Sequence, residues 1–430
     1  MNTNENVLSQ QAQDNCDDRY TPISLCKSII LYAVVSLFLF FEMAVQVSPG
    51  VMSSQLMRDL NVSAFGLGIM SGFYFYSYTL MQIPSGILLD KYNPRIIITL
   101  SLLTCALGTL LFATADGIYL GSVARLLMGL GSAFAFVSVL VVTADLFEAK
   151  YFATITGITQ MLAAFGAMTG QLPIAALQAQ IGWRSTMLVL ASIGFLLAIL
   201  VYNVLKYRKC KFIVSHLHSG STPSQHKLSD IFTKPQTWFI ALYACLLWAP
   251  MSGFASLWGV PFLTSADQLT PANSAFICSF MWLGLALCSP LIGLLYAVVN
   301  NKKLLFSITA LIGAVSFYLI LSFSMSELNL AILLFLAGGS CAGQALSFTL
   351  IRDNNPEGIK GTAIAFNNMA VVISGAIFQP LIGKLIDYNH AGAMINYTQA
   401  DFKRGLVVIF ICYFVAFLIA TGCFRIRAHQ

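Results

Sequence analysis

Charged residues are scarce in this chain. Asp, Glu, Lys and Arg make up 9% of its 430 residues, against about 25% in soluble domains, whereas apolar types supply 58%. The chain also lacks a Gly-x-x-x-x-Gly-Lys phosphate-binding loop, and its ten cysteines are scattered without metal-ligand spacing. We therefore expect no metal, no cofactor, no nucleic-acid partner and no direct use of ATP.

Long apolar runs, by contrast, fill almost the whole chain. About 20 apolar residues cross a ~30 Å hydrocarbon core as a helix, and a helix satisfies its own backbone in lipid. Twelve such runs, called spans 1 to 12 here, predict an all-α membrane protein with twelve transmembrane helices: 28–50, 63–87, 95–115, 117–143, 151–178, 184–205, 236–264, 271–298, 303–323, 328–351, 361–388 and 402–424.

Lysine and arginine favour one side of this predicted topology. Seventeen of the 23 lie in the termini, the even-numbered loops and the polar stretch between spans 6 and 7. By the positive-inside rule these segments are cytoplasmic, and no cleavable signal peptide is expected. The predicted organisation is a tail (1–27), a six-helix half (28–205), a linker held near the lipid headgroups (206–235), a second six-helix half (236–424) and a tail (425–430).

Prolines reveal a possible internal repeat. Pro84, Pro173, Pro290 and Pro380 fall late in spans 2, 5, 8 and 11, at similar intervals once the linker is discounted. The alternative is coincidence, because membrane helices tolerate proline. A true repeat predicts four three-helix units, inverted within each half (3+3), which is the symmetry of secondary transporters.

Two motifs then carry a family resemblance. The stretch after span 2 reads Gly86-Ile-Leu-Leu-Asp90-Lys91-Tyr-Asn-Pro-Arg95, and span 4 carries Arg125-Leu-Leu-Met-Gly129-Leu-Gly131. Together they resemble signatures of the major facilitator superfamily (MFS), and the resemblance extends from span 1 to span 12. It implies the MFS fold, a central site between two rocking halves, and a cytoplasmic gate with these residues: Gly86, Asp90, Arg95 and Asp145.

The sequence also departs from the family pattern. Ala297 stands where the second-half counterpart of the span 2 motif would have an acid, so the gate is expected to depend on the first half. The antiporter signature of span 5 is replaced by Gly166-Ala-Met-Thr-Gly170-Gln171-Leu-Pro173. This replacement argues against a drug-efflux antiporter, although an MFS exporter of drugs or siderophores stays open as an alternative.

Glu42 in span 1 and Arg125 in span 4 are the only ionisable groups expected deep within a span. A charge at mid-bilayer costs at least ~2.5 kcal/mol on insertion scales, so each should face a cavity and have a partner. The proton affinity of a carboxylate falls beside a guanidinium and rises in apolar surroundings, so a rocking motion could couple transport to protons. The alternatives are a static ion pair and, for Arg125, packing within its glycine motif.

Neutral polar and aromatic residues in the spans could complete a substrate pocket. For most of the aromatic residues, core packing or interface anchoring is the competing interpretation. The candidate substrate-binding residues are Gln46, Tyr74, Tyr78, Gln160, Trp248, Trp258, Gln344 and Asn367.

These features predict a monomeric transporter in a bacterial inner membrane, moving a small polar or zwitterionic solute by proton-coupled uptake. The pattern resembles bacterial branches that include amino-acid, short-peptide and siderophore transporters. A non-transporting membrane receptor and a membrane enzyme are the alternatives from other classes.

Overall fold

The computed structural model describes residues 24–205, 229–266, 269–356, 359–389 and 397–424. These residues form helices and short connections, with no strand among them. Ten helical stretches within the described ranges are long and apolar enough to cross a membrane. The all-α multi-pass class is confirmed, whereas the count of twelve and the 3+3 repeat stay predictions. Most of both tails and of the linker lies outside the described residues.

The first half consists of eight helices because several predicted spans are interrupted. Span 2 breaks at Met81, span 4 breaks at 133–134, and span 5 breaks at 170–171. The helices are α1 (Leu25–Asp59), α2 (Ala64–Leu80), α3 (Gln82–Lys91), α4 (Pro94–Ala113), α5 (Ile118–Ser132), α6 (Ala135–Leu146), α7 (Ala149–Thr169) and α8 (Leu172–Val204).

Gly182 divides α8 into two parts, so that it covers both the end of span 5 and span 6. Its φ of +79° lies in the left-handed region that glycine adopts without a Cβ clash. The next residue, Trp183, donates its indole N–H to Asp59 Oδ2 at 2.8 Å, and Arg184 donates to the carbonyl of Ala115 at 3.0 Å. The Gly182-Trp183-Arg184 sequence thus turns the chain and fastens the turn to its neighbours.

The second half contains two stretches of π-helix. Its helices are α9 (Ser229–Phe232), α10 (Pro235–Ala249), a π-helix (Pro250–Trp258), α11 (Gly259–Ala266), α12 (Pro271–Val298), α13 (Lys302–Ser322), α14 (Glu327–Cys341), α15 (Gln344–Asp353), α16 (Lys360–Ile386), a 3₁₀ turn (Asp387–Asn389), α17 (Gln399–Leu418) and a second π-helix (Ile419–Cys423). Span 7 therefore runs through α10, the first π-helix and α11, and span 10 breaks at 342–343.

Capping residues explain many of the helix starts. Ser63, Asn93, Thr270, Asn301 and Ser326 each accept a backbone N–H of the following first turn. Thr398 and Asp401 form a reciprocal capping box at the start of α17. These short polar side chains fix the membrane-interface ends of otherwise apolar helices.

The two halves meet tightly at one end of the bundle. There α2 crosses α16, and α1 contacts the first π-helix. A methyl group added at Gly68 would lie 2.6 Å from the Gln379 carbonyl, and one added at Gly50 would lie 2.8 Å from the Ser256 carbonyl. We call this end, which carries the α1–α2 connection, the closed end.

Glycines toward the other end of the bundle have different surroundings. A Cβ built at Gly86, Gly157 or Gly293 would have no atom within 4 Å. These three positions lie on α3, α7 and α12, toward the end that carries the α3–α4 connection. We call this end the open end.

Candidate functional site

Glu42, Tyr74 and Arg125 form a buried cluster in the first half. Glu42 lies midway along α1 and is 1% exposed, and both Tyr74 of α2 and Arg125 of α5 are fully buried. The Tyr74 hydroxyl donates a short hydrogen bond to Glu42 Oε1. The Arg125 guanidinium carbon lies 4.6 Å from the centre of the Tyr74 ring, within range of a cation–π interaction.

Pro49 explains how α1 receives the Arg125 guanidinium. Because proline has no backbone N–H, the carbonyl four residues earlier, on Val45, loses its helical partner. Arg125 Nη1 approaches that carbonyl at 3.4 Å, and Nη2 approaches the neighbouring Gln46 carbonyl at 3.4 Å. The Ser48 hydroxyl also donates to Val45 O, at 3.0 Å. The loss of one helical hydrogen bond at Pro49 thus leaves the Val45 carbonyl available to the buried Arg125 guanidinium.

Tyr74 links Glu42 and Arg125. The ion pairs among the described residues do not include this pair, and Tyr74 contacts both groups. Glu42 Oε2 and Arg125 Nε are buried and have no hydrogen-bond partner among the described residues. A buried polar atom without a partner is costly, so a proton or a hydrogen-bond donor at Glu42 Oε2 would stabilise this site.

The neighbouring aromatic and amide side chains extend this cluster toward the second half. Tyr78 stacks on Tyr74 with ring centres 5.9 Å apart and is partly exposed. At the start of α3, Gln82 Oε1 accepts a hydrogen bond from Asn368 Nδ2 of α16 at 2.5 Å. Gln46 is buried, one turn from Glu42 on α1. The line from Glu42 through Tyr78 to Gln82 therefore joins the two halves.

The second-half candidates occupy different environments. Trp258 is fully buried, and its indole N–H donates to the Gln379 carbonyl at 3.1 Å. Asn367 is fully buried and donates to Ser347 Oγ at 2.7 Å. Gln344, also buried, begins α15 directly after the break in span 10. Trp248 is partly exposed, and Gln160 of α7 is exposed.

The first π-helix is held by glutamines from both halves. A π-helix displaces carbonyls from regular i→i−4 bonding and often occurs at functional sites. Gln171 Nε2, between α7 and α8, donates to the Ala255 carbonyl at 2.7 Å, and Gln379 Nε2 of α16 donates to the Ser252 carbonyl at 2.7 Å. The Oε1 atoms of both glutamines are buried without a partner among the described residues.

Sequence reasoning missed these amide contacts as functional elements. Gln171 belongs to the altered motif of span 5, and Asn368 and Gln379 are not among the predicted site residues. Polarity is the sequence feature that could have identified them, because each is an uncharged amide within an apolar run. The π-helix itself has no clear sequence signature beyond the Pro250 that begins it.

The predicted gating residues lie at the open end. The Arg95 guanidinium lies 3.8 Å from the Tyr202 ring centre and donates from Nε to the Tyr202 carbonyl at 2.7 Å. Asp145 lies near the end of α6, and Gly86 lies within α3. Asp90 is also in α3, but its side chain lies outside what the structure describes. The gating role of these residues stays a prediction.

Comparison with known proteins decides the family. The sequence profile of the Major Facilitator Superfamily matches residues 33–379, most of the chain. The chain belongs to the Major Facilitator Superfamily. Membership indicates a transporter rather than an enzyme and confirms the family resemblance of the two motifs.

Curated MFS relatives match over part of their length. The chain is 29% identical over 177 residues to YybO, an uncharacterized transporter of Bacillus subtilis (strain 168), covering 41% of this chain and 40% of that protein. It is 25% identical over 174 residues to a putative tartrate transporter of Agrobacterium vitis, covering 39% of this chain and 38% of that protein. The matches thus span about two fifths of these relatives.

A solved structure supports the fold over nearly the whole chain. A bacterial homolog of the human lysosomal transporter Spinster, in an inward-facing and occupied conformation, superposes with a TM-score of 0.74. The alignment covers 93% of this chain and 97% of that one at 15% identity. At this identity the likeness establishes the MFS fold alone.

Proposed function

We propose that this protein is a secondary active transporter that takes up a small polar or zwitterionic solute with protons across a bacterial inner membrane. In this proposal twelve helices form two six-helix halves, each a 3+3 inverted repeat, and the halves rock to expose a central site alternately. The protein acts as a monomer, and both termini lie in the cytoplasm.

The Glu42–Tyr74–Arg125 cluster carries the proposal of proton coupling. An ionisable residue buried within a membrane bundle is costly and is by default a functional-site candidate. Glu42 has one oxygen bonded to Tyr74 and one without a described partner, so its environment is incomplete in this conformation. A conformation that exposes Oε2 to water would let Glu42 exchange a proton.

Alternating access is supported by the difference between the two ends. At the closed end Gly50 and Gly68 pack against the other half, whereas Gly86, Gly157 and Gly293 have open space around them, as do Gly117 and Gly182 within the first half at the closed end. Lysine and arginine concentrate in the segments of the open end, so the positive-inside rule makes that end cytoplasmic. In this proposal the structure represents an inward-open state.

Neutral hydrogen-bonding groups are proposed to select the substrate. Arg125 is fully buried and committed to two carbonyls and the Tyr74 ring, so it presents no open guanidinium face to a solute in this state. Tyr78, Gln82 and Asn368 are partly exposed and lie between the halves. A solute with hydroxyl, amide or ammonium groups could replace the Gln82–Asn368 bond and bridge the halves.

Uptake into proteoliposomes tests this function. The purified protein would be assayed against a panel of amino acids, short peptides, sugars and tartrate, the last because a relative bears that name. Uptake of each solute would be measured without a pH gradient, and with the vesicle interior either more acidic or more alkaline than the outside. Accumulation driven by protons moving with the solute supports the proposal. Solute movement that occurs only when protons move in the opposite direction would favour an exporter. No flux of any solute would favour a receptor.

A further inference from the structure

We propose that Asp387 and Tyr397 form a latch that holds the closed end shut by capping the N-terminus of α2 from the opposite half. The proposal rests on the alternating-access function above and assigns one of its gates. It concerns the end opposite the sequence-predicted gate at Asp90.

The contacts involve the first two residues of α2. Asp387 Oδ2 accepts the backbone N–H of Phe65 at 2.8 Å, and the Tyr397 hydroxyl accepts the backbone N–H of Ala64 at 3.0 Å. The same hydroxyl donates to Asp387 Oδ1 at 2.5 Å. Asp387 follows α16 directly, and Tyr397 precedes α17, so both acceptors belong to the second half.

The latch completes a cap that α2 cannot make alone. The first N–H groups of a helix have no partner within it. Within the first half, Ser63 Oγ accepts the Gly66 N–H at 3.3 Å, which leaves the N–H groups of Ala64 and Phe65 to the second half. A carboxylate at this position also complements the positive end of the helix dipole. Separating the halves would expose these two N–H groups and the carboxylate to water.

Tyr397 keeps the proton that the latch needs. Partial burial and the hydrogen bond to Asp387 raise the pKa of Tyr397 above its ordinary value. The hydroxyl therefore stays protonated, donating to the carboxylate while accepting from Ala64. Tyr397→Phe would remove both of these hydrogen bonds and keep the ring, which packs edge-on to Phe402 at 6.2 Å.

Close packing beside the latch makes it sensitive to any separation of α2 from α16. A methyl group added at Gly383, one turn before Asp387, would lie 2.5 Å from the Ala64 carbonyl. The backbones of α2 and α16 are therefore already at close approach beside the latch. A small outward movement of either helix therefore lengthens the two hydrogen bonds that cross between the halves.

Thiol accessibility at the closed end tests the latch without any substrate. Ser71 of α2 is 1% exposed, lies one turn from Gly68 and differs from cysteine by one atom. Ser71→Cys protein in vesicles would be treated with a membrane-impermeant maleimide, and the labelled peptide would be quantified by mass spectrometry. Asp387→Asn and Tyr397→Phe should each raise the labelling rate, several-fold for loss of a neutral hydrogen bond and about tenfold or more for loss of one to a charged group.

A matched control separates the latch from a general charge effect. Glu327 lies in the first turn of α14 at the same end and has no described bond to the first half. Glu327→Gln should leave labelling at the starting rate. Equal labelling in the Asp387, Tyr397 and control variants, with the folded fraction confirmed by size-exclusion chromatography, would overturn the latch. If Asp387→Asn does not fold, Tyr397→Phe alone decides the question by the same readout.

The labelling result is independent of the transport result. Increased labelling in a protein that moves no tested solute would support the latch and count against the proposed function. Normal uptake with unchanged labelling in both variants would support the function and reject the latch.

Discussion

At the residue scale, the buried charges of this transporter are arranged around an aromatic ring. Among the described residues, the charged side chains classed as buried are Glu42, Arg125 and Asp401. Asp401 is explained by its capping box and by its ion pair with Arg404 at 3.3 Å. Glu42 and Arg125 instead both contact Tyr74. A static ion pair, one of the alternatives open from the sequence, is not the geometry of this state.

Glu42→Gln is expected to abolish proton-driven accumulation. Glutamine keeps the size of the side chain and an oxygen for the Tyr74 hydroxyl, but it cannot exchange a proton. Solute counterflow between equal pH values should therefore persist. Uptake and counterflow in proteoliposomes would be compared with Glu327→Gln as the control. Wild-type accumulation with glutamine at position 42 would show that another group carries the proton.

Arg125→Lys is expected to impair transport nearly as much as Arg125→Ala. A guanidinium reaches the carbonyls of Val45 and Gln46 together while its carbon lies 4.6 Å from the centre of the Tyr74 ring, and an ammonium cannot reproduce that two-pronged arrangement. Loss of one or two such contacts, at ~1.5 kcal/mol each, predicts at least a tenfold fall in kcat/KM. Arg58→Lys, at an exposed position, is the control. Full activity of Arg125→Ala at matched expression would exclude this role.

At the element scale, the breaks in the helices were the part of the fold that the sequence predicted least. Apolar length and the motifs of spans 2 and 4 were enough for the all-helical membrane class and for the family. At the first π-helix, carbonyls accept hydrogen bonds from Gln171, which lies at the break of span 5, and from Gln379 of α16. Such partners come from distant parts of the chain and leave no local periodicity.

Pro49→Ala is expected to weaken transport without destabilising the protein. Alanine restores an N–H at position 49 that competes with Arg125 for the Val45 carbonyl. We expect kcat/KM to fall about threefold to tenfold, as for partial loss of one hydrogen bond. The unfolding temperature should stay the same or rise, because a proline inside a helix is unfavourable. Pro290→Ala, a proline within α12, is the comparison, and equal transport effects in both variants would contradict the idea.

At the scale of the whole molecule, the sequence predicted rare buried charges better than it predicted contacts between helices far apart in the chain. Glu42 and Arg125 were identified because charge is rare inside an apolar span, and Tyr74 was found as a polar aromatic on the neighbouring helix. Asp387 and Tyr397 were not, because Asp387 lies at the very end of span 11 and Tyr397 lies in the connection that follows it, where polar residues are ordinary. Their significance depends on α2 of the other half, more than 300 positions away in sequence.

Some glycines are packed against the other half and others have open space around them, so the same glycine-to-alanine substitution is expected to have different effects at the two ends. Gly68→Ala adds a methyl group 2.6 Å from the Gln379 carbonyl, so α2 and α16 must separate. Gly86→Ala adds a methyl group to open space and leaves this state unstrained. If the halves rock, Gly68→Ala should increase maleimide labelling of Ser71→Cys. Gly86→Ala should leave that labelling unchanged or lower it, because any crowding it causes would arise when the open end closes.

Two outcomes would contradict this prediction. Increased labelling in both variants would mean that the substitutions loosen the bundle in general. Unchanged labelling in Gly68→Ala would mean that the crossing of α2 and α16 does not control access.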